Sequence, residues 1–386
     1  MAKLEDAIRL LARLVAFDTT SRNSNLALID FVQAELMAHG VACHVRPDAS
    51  GRKANLHAIV GPAVAGGIAL SGHVDCVPVE GQAWLADPFT LRRAAGRLTG
   101  RGACDMKGFV ACMMVAGMAA AERELARPLH LLFTFDEETT FAGARQMAAE
   151  MPADAPLPAM CIVGEPTSMA PVIAHKGYAS WNARVTGLSG HSSRYDTTAN
   201  ALSAAAEAVA WLAAQGRGFA ASGRRDAGFT PPHTTVHAGT FQAGTVLNIV
   251  PDLAEFTFEV RAVPGDDPLA VLAGLQAHME EVVMPPLQAV HPGCVAEFRE
   301  RAFAPALGLP EGHELTLLTQ RLTGHNHASR VSYGTEAGFY AGLGIPTIVC
   351  GPGDIAQAHQ PEEWVTEADM AACLQHLARL TDMLAA

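Results

Sequence analysis

The sequence is poor in lysine. It holds four (Lys3, Lys53, Lys107 and Lys176) in 386 residues, and lysine and arginine together number 27 against 39 acids. The net charge of −12 withholds the positive field that nucleic acid or an anionic membrane surface requires, so neither is expected as a partner. Paired cysteines are missing too. Eight cysteines are present but none forms a CxxC. Cys104, Cys112, Cys161 and Cys350 lie in or beside apolar runs, where a reduced, buried thiol is the usual state. The apolar run Phe109 to Ala121 is too short to span a bilayer. The N-terminus does not read as a signal peptide. In MAKLEDAIRLLARLVAFDTT, Leu4, Ile8, Leu11 and Val15 recur at helical spacing with charges between them, the pattern of an amphipathic core helix. Repeats, low-complexity tracts and long linkers are lacking as well. A soluble, cytoplasmic protein is the expectation.

The length exceeds one ordinary core, so two domains are expected. Up to Glu165, short apolar strands alternate with helices. Gly67 to Ser71 leads to His73, Pro128 to Phe135 leads to Asp136-Glu137-Glu138, and Ala159 to Gly164 ends at Glu165. Between them lies an apolar helix from Gly108 to Glu124, and a hairpin is expected around Trp84 to Thr90 and Leu98. Buried strands alternating with helices predict an α/β fold with a mostly parallel sheet covered on both faces. In such sheets ligands gather at the carboxyl ends of the strands, where these acids sit. Past Lys176 the pattern changes to polar–apolar alternation in Ala179 to Thr186, Glu255 to Ala262 and Cys294 to Arg301, with helical stretches between. That change predicts an inserted α+β domain at 178–302, with 1–177 and 303–386 forming the first domain.

Taken singly, the candidate residues are ordinary. His73 alone reads as a hydrogen-bonded structural histidine, Glu137-Glu138 as a solvated pair, and Asp105 in CDMKG as a helix N-cap. Glu165 before a proline starts a turn, and His359 is one of sixteen histidines. Taken together, two imidazoles and several carboxylates at one sheet edge suit a pair of zinc ions with a bridging carboxylate. Clustered acids without a metal would push one another's pKa upward.

The blocks SGHVDCVP, GRGACDMKGF, FDEETTFAGA, GEPTS, HKGY, GHSS, NIVPDLAEFTFEVR, YGTEAGF and GPGDIAQAHQPEEW resemble, in order and over nearly the whole length, the M20 family of dinuclear zinc amidohydrolases. The YGTEAGF and GPGDIAQAHQPEEW blocks look more like its acetylornithine deacetylase branch than like the succinyl-diaminopimelate or peptide-cleaving branches.

The resemblance implies a zinc-peptidase-like catalytic domain carrying an inserted lid and dimerisation domain. It implies two Zn2+, with Co2+ as the candidate substitute. His73 and Glu165 would hold one metal, Glu138 and His359 the other, and Asp105 would bridge them, followed by a cis peptide to Met106. Asp75 would accept the second N–H of His73. Glu137 would act as general base toward a hydroxide shared by the metals. His191, supplied by the partner subunit of a homodimer, would stabilise the oxyanion. Asn248 and Arg261 would meet the substrate, the arginine through a carboxylate. On an alternating strand Arg261 also reads as a structural salt bridge, and His191 as a turn residue capped by its serines. Glu336 is a partner for a substrate ammonium or a solvated loop acid. The expected reaction is hydrolysis of a small N-acyl amino acid, N-acetyl-L-ornithine first. Another N-acyl amino acid, succinyl-diaminopimelate or a dipeptide stand as alternatives. A binding protein with a degenerate metal site is the reading outside enzymology.

Overall fold

The computed structural model describes residues 2–385. The chain divides into two units. One comprises the chain up to Ala174 with Leu307–Arg330 and the segment from Thr335 onward; the other comprises His175–Ala306 and Val331–Gly334.

The first unit is built on a nine-stranded sheet. Its centre runs Leu129–Thr134, Ile68–His73, Met160–Pro166, Thr347–Gly351, all mutually parallel. Antiparallel strands Ala54–Val60 and Ala42–Pro47 extend one flank, and Val172–His175 pairs antiparallel on the other. The central strands are buried along their lengths, so they read as continuous apolar runs. Helices cover both faces. On one, Gly72 faces Met106, Phe109 and Val110 at the start of the helix Lys107–Ala121, which packs against Ala2–Val15 and Glu367–Asp382. On the other, Ser71 meets Glu336 and Tyr340, at and within the helix Ala337–Gly342. Adjacent residues of a strand point to opposite faces, so one dipeptide touches both layers. Gly164 is required by the first packing: a Cβ there would stand 2.0 Å from the Phe109 ring.

The hairpin after the first parallel strand falls later than expected. It is Arg92–Ala94 with Arg97–Thr99, turned by Ala95 and Gly96, both at positive φ, the two-residue turn that matches strand twist. Trp84 to Thr90 is turns and bends.

The second unit holds a four-stranded antiparallel sheet in the order Thr235–Ala243, Leu253–Ala262, Gly177–Thr186, Ala296–Ala304. One face packs on the helices Ala201–Ser222 and Pro268–His278 around Trp181, Phe256 and Phe258, with the Trp181 and Phe258 rings stacked at 4.9 Å. The other face is polar, which produces the alternation. No helix is long and apolar enough to cross a membrane among the described residues.

Candidate metal centre

Six of the candidate residues converge at the carboxyl ends of the parallel strands in the first unit. His73 is the last residue of its strand and is fully buried. Glu137 and Glu138 follow Leu129–Thr134 through a turn at Asp136, whose φ of 56 is left-handed, a conformation aspartate tolerates better than most side chains. The Asp136 main-chain oxygen accepts the N–H groups of Thr140 at 3.0 Å and Phe141 at 2.8 Å, and Lys53 pairs with its carboxylate. Glu165 lies near the end of Met160–Pro166, and Asp105 sits in the loop before Lys107–Ala121. The Asp105–Met106 peptide is cis, as the resemblance implied. His359 comes from the loop after Thr347–Gly351 and is itself at positive φ.

Asp105 divides its two oxygens between two imidazoles. Its Oδ1 is 3.0 Å from His73 Nε2, and its Oδ2 is 3.3 Å from His359 Nε2. Glu138 Oε2 stands 3.0 Å from the same His359 nitrogen. Two ligand-like groupings arise, with all atoms inside 4.8 Å: His73, Asp105 and Glu138, and His73, Glu137 and Glu165. The second contains Glu137, the residue expected as base.

The electrostatics are those of a cation site. Asp105, Glu137 and Glu165 are buried, and no lysine or arginine among the described residues pairs with them or with Glu138. Burial, then the neighbouring Glu165, pushes Glu137 well above the usual carboxylate range. Burial and Asp105 do the same to Glu165 and lift Glu138 to about 7. Glu165 Oε1 is buried with no hydrogen-bond partner. Hydrogen bonds to Asp105 and Glu138 raise His359 to about 10. Burial pulls His73 down, but Asp105 and Asp75 outweigh it, leaving it well above the ordinary histidine value. Asp105 is itself lowered, its imidazole contacts outweighing burial. An orphaned acceptor among crowded carboxylates, with two imidazoles across them, is a donor set that fits divalent metal.

Asp75 does more than orient His73. It shares the His73 Nδ1–H between its main-chain oxygen at 3.1 Å and its carboxylate at 3.5 Å. The carboxylate also accepts the main-chain N–H of Glu137 at 3.1 Å and of Glu138 at 3.3 Å. Ser21 Oγ donates to it at 2.7 Å, and nothing in the run of residues around Ser21 signals that contact.

Glu336 is no solvated loop acid. It is fully buried, and its two oxygens accept Ser71 Oγ and Thr134 Oγ1, each at 2.5 Å. Ser71 lies two residues before His73 and Thr134 is the cross-strand partner of His73, so Glu336 braces the sheet at the site and offers no oxygen to solvent.

The remaining three candidates lie in the second unit. His191 and Asn248 are close, since Gly190–His191 pairs with Ile249–Val250 and Ser192 N–H donates to the Asn248 main-chain oxygen at 3.0 Å. His191 is exposed, its Nδ1 held by Ser193 Oγ at 2.8 Å. Arg261 is elsewhere. It sits opposite Tyr178 at the far end of Leu253–Ala262, eight residues from Leu253 and thus about 26 Å along the strand. Its Nε donates to Glu259 at 2.9 Å, and its guanidinium stacks on the Tyr178 ring at 4.8 Å.

Residues 69–382 match the model of peptidase family M20/M25/M40. The chain belongs to this family. It is 37% identical to the acetylornithine deacetylase of Myxococcus xanthus over 377 residues, covering 96% of this chain and 95% of that protein. It is 36% identical to the acetylornithine deacetylase of Proteus mirabilis, over 92% of this chain and 88% of the relative. Among solved structures, an M20 family metallo-carboxypeptidase from Sulfolobus solfataricus superposes with a TM-score of 0.76 at 16% identity, covering 98% of this chain and 99% of that one. At that identity the likeness concerns the fold.

Proposed function

We propose that this M20 hydrolase cleaves the amide bond of N-acetyl-L-ornithine to L-ornithine and acetate, a step of arginine biosynthesis in the cytoplasm, using two zinc ions. The observation that carries the reading is the division of Asp105 between His73 and His359 within a cluster of acids that no lysine or arginine among the described residues pairs with. Full-length similarity to two acetylornithine deacetylases favours the substrate.

His73 and Glu165 would hold one metal, Glu138 and His359 the other, and Asp105 both. When bound, the metals supply Lewis acidity, which lowers the pKa of water and polarises the scissile carbonyl. The chain's own residues do the rest. Donation of His73 Nδ1–H to Asp75 leaves Nε2 with its lone pair available. Glu137, with its affinity for protons raised by burial, takes the proton of the attacking water on its carboxylate and returns it to the leaving amine. Low exposure of His73, Asp105, Glu137 and Glu165 keeps bulk water from screening the developing charge.

The second unit serves as lid and dimerisation domain in this reading. His191 Nε2 donates to the oxyanion of the partner subunit's site, with Asn248 beside it. The apolar surface next to them, with Leu247 100% exposed, Val246 54% and Ile249 44%, is what a second copy would cover. Arg261 meets the substrate carboxylate only by exchanging its contact with Glu259.

Initial hydrolysis rates test this on N-acetyl-L-ornithine, N-acetylcitrulline, N-acetylmethionine and N-succinyl-diaminopimelate, with zinc or cobalt and after chelation. A lead for acetylornithine, lost on chelation and restored by metal, supports it. A lead for another acyl substrate keeps the centre and replaces the substrate. No hydrolysis by metal-loaded protein overturns the substrate class.

A further inference from the structure

Beside the metal centre lies a second buried carboxylate whose contacts are all made to the frame that carries the centre. Glu363 is 1% exposed. Its Oε1 accepts the main-chain N–H of Cys104 at 2.9 Å and of Asp105 at 3.0 Å. Its Oε2 accepts the N–H of Gly102 at 3.0 Å and Arg101 Nη1 at 2.7 Å. Four donors on two oxygens satisfy the carboxylate, and three of them are main-chain groups within four residues of one loop. The Arg101 guanidinium is itself wholly buried, so the pair's charges cancel where neither could be left alone.

Arg101 extends the contact to the other side of the centre. Its guanidinium lies 5.1 Å over the Trp84 ring, its Nη2 donates to Gln82 Oε1, and its Nη1 reaches the Gln360 main-chain oxygen at 3.4 Å. Gln82 Nε2 in turn donates to the His359 main-chain oxygen at 3.0 Å. The loop that presents Asp105 and the loop that presents His359 are therefore tied through one carboxylate and one guanidinium. His359 occupies a left-handed conformation, which persists only where surrounding contacts over-determine it.

We propose that Glu363, acting with Arg101 and Gln82, is a positioning residue that sets the separation of Asp105 and His359 and thereby the affinity for the second metal. The inference rests on the reading that Asp105 and His359 are metal ligands. Glutamine cannot replace Glu363, because its amide nitrogen would face two N–H donors. The carboxylate is no ligand in this reading and acts through the main-chain N–H groups of one loop and through the Arg101 guanidinium.

The test measures dissociation constants for Zn2+ and Co2+ by chelator competition, and amide hydrogen exchange at 102–105 in chelated protein, for full-length wild type, Glu363→Gln and Asp105→Asn. Expected for Glu363→Gln is a 10- to 100-fold weaker second metal with faster exchange at 102–105. Asp105→Asn should weaken metal binding while exchange at Gly102 and Cys104 stays slow, because its side chain takes no part in the clamp. If Asp105→Asn loses affinity but Glu363→Gln binds both metals as wild type does, the positioning inference is overturned and the ligand reading stands. If Asp105→Asn binds metal normally, the ligand reading fails and takes the inference with it. Should Glu363→Gln not fold, Gln82→Leu replaces it, cutting the arm to His359 and the Arg101 and Trp84 contacts to Gln82 Oε1 while leaving every Glu363 contact in place. Selective weakening of one metal then supports the proposal, and unchanged affinity for both rejects it.

Discussion

The Asp75 carboxylate grips Glu137 by the main chain, Oδ1 accepting its N–H at 3.1 Å, while the Glu137 side chain is left for other work. One side chain thus links the end of the Ile68–His73 strand, where it also meets His73, to the loop that carries both glutamates. Replacing it with asparagine keeps the shape but puts an NH2 group where an oxygen accepted N–H or O–H. Asp75→Asn is expected to lower kcat about 10- to 100-fold, the usual effect of losing such a support. Ser21→Ala, which removes one donor to the same carboxylate, should cost less. Steady-state kinetics of both variants check this, and an Asp75→Asn enzyme within twofold of wild type would remove the clamp from the mechanism.

Glu137→Gln separates base from ligand. Glu137 groups with His73 and Glu165 inside 4.8 Å, so proximity alone suits either role. As the base it should lose about 100- to 10,000-fold in kcat, the range for a positioned general base, while metal stoichiometry by elemental analysis stays at the wild-type value. Loss of one metal equivalent along with turnover would make Glu137 a ligand.

Much of the first unit is legible in sequence because its parallel strands are continuous apolar runs that stop at a charged residue or a candidate ligand, as at His73 and Glu165. What lies between distant segments is not. Ser21 meets Asp75 across fifty-four positions and Glu363 meets Asp105 across 258, and no local pattern marks either contact. Glu336 follows a glycine and a threonine, as a loop acid would, yet packing of Ala337–Gly342 under the sheet buries it. The strand Thr235–Ala243 escapes notice for a different reason. It is an edge strand with a bulge at Ala238/Thr240 and no fully buried residue, so burial imposes no alternation on it.

His191→Ala tests the second unit's part in the chemistry. The side chain is exposed and bonded locally to Ser193, so its removal should leave thermal stability within about 0.5 kcal/mol, as for most surface substitutions. The rate is expected to fall about 100- to 1,000-fold, the effect of losing one oxyanion donor, with metal content unchanged. Mixing His191→Ala with Glu137→Gln subunits checks the assignment in trans: a mixed dimer recovers one competent site, whereas action within one subunit recovers none. A His191→Ala enzyme with wild-type kcat rejects the role.

Acid should destabilise the protein through histidines that packing holds neutral. Burial pushes His130 down to about 4, with His57 next in effect, and His376 down to about 4, with Arg379 next. A histidine in the unfolded chain binds its proton near pH 6.5, so between about 6.5 and 4 the unfolded state holds protons that the folded state refuses. Stability contributed by each group is therefore fully present above pH 6.5 and lost as pH falls toward 4, by about 3 kcal/mol per group. His130 belongs to a network: His57 Nε2 lies 2.9 Å from its Nδ1, and Asp154 lies 2.9 Å from His57 Nδ1. His376 has no hydrogen bond on either ring nitrogen and lies buried in Glu367–Asp382, which makes it the cleaner probe. His376→Leu conserves the apolar packing, removes two unsatisfied polar atoms and favours the helix. Stability at pH 8 should be equal to wild type or higher by about 1 kcal/mol, and the advantage should grow as pH falls from 6.5 to 4. Urea unfolding across that range measures the difference. Parallel profiles for the two proteins would mean that His376 does not titrate between them.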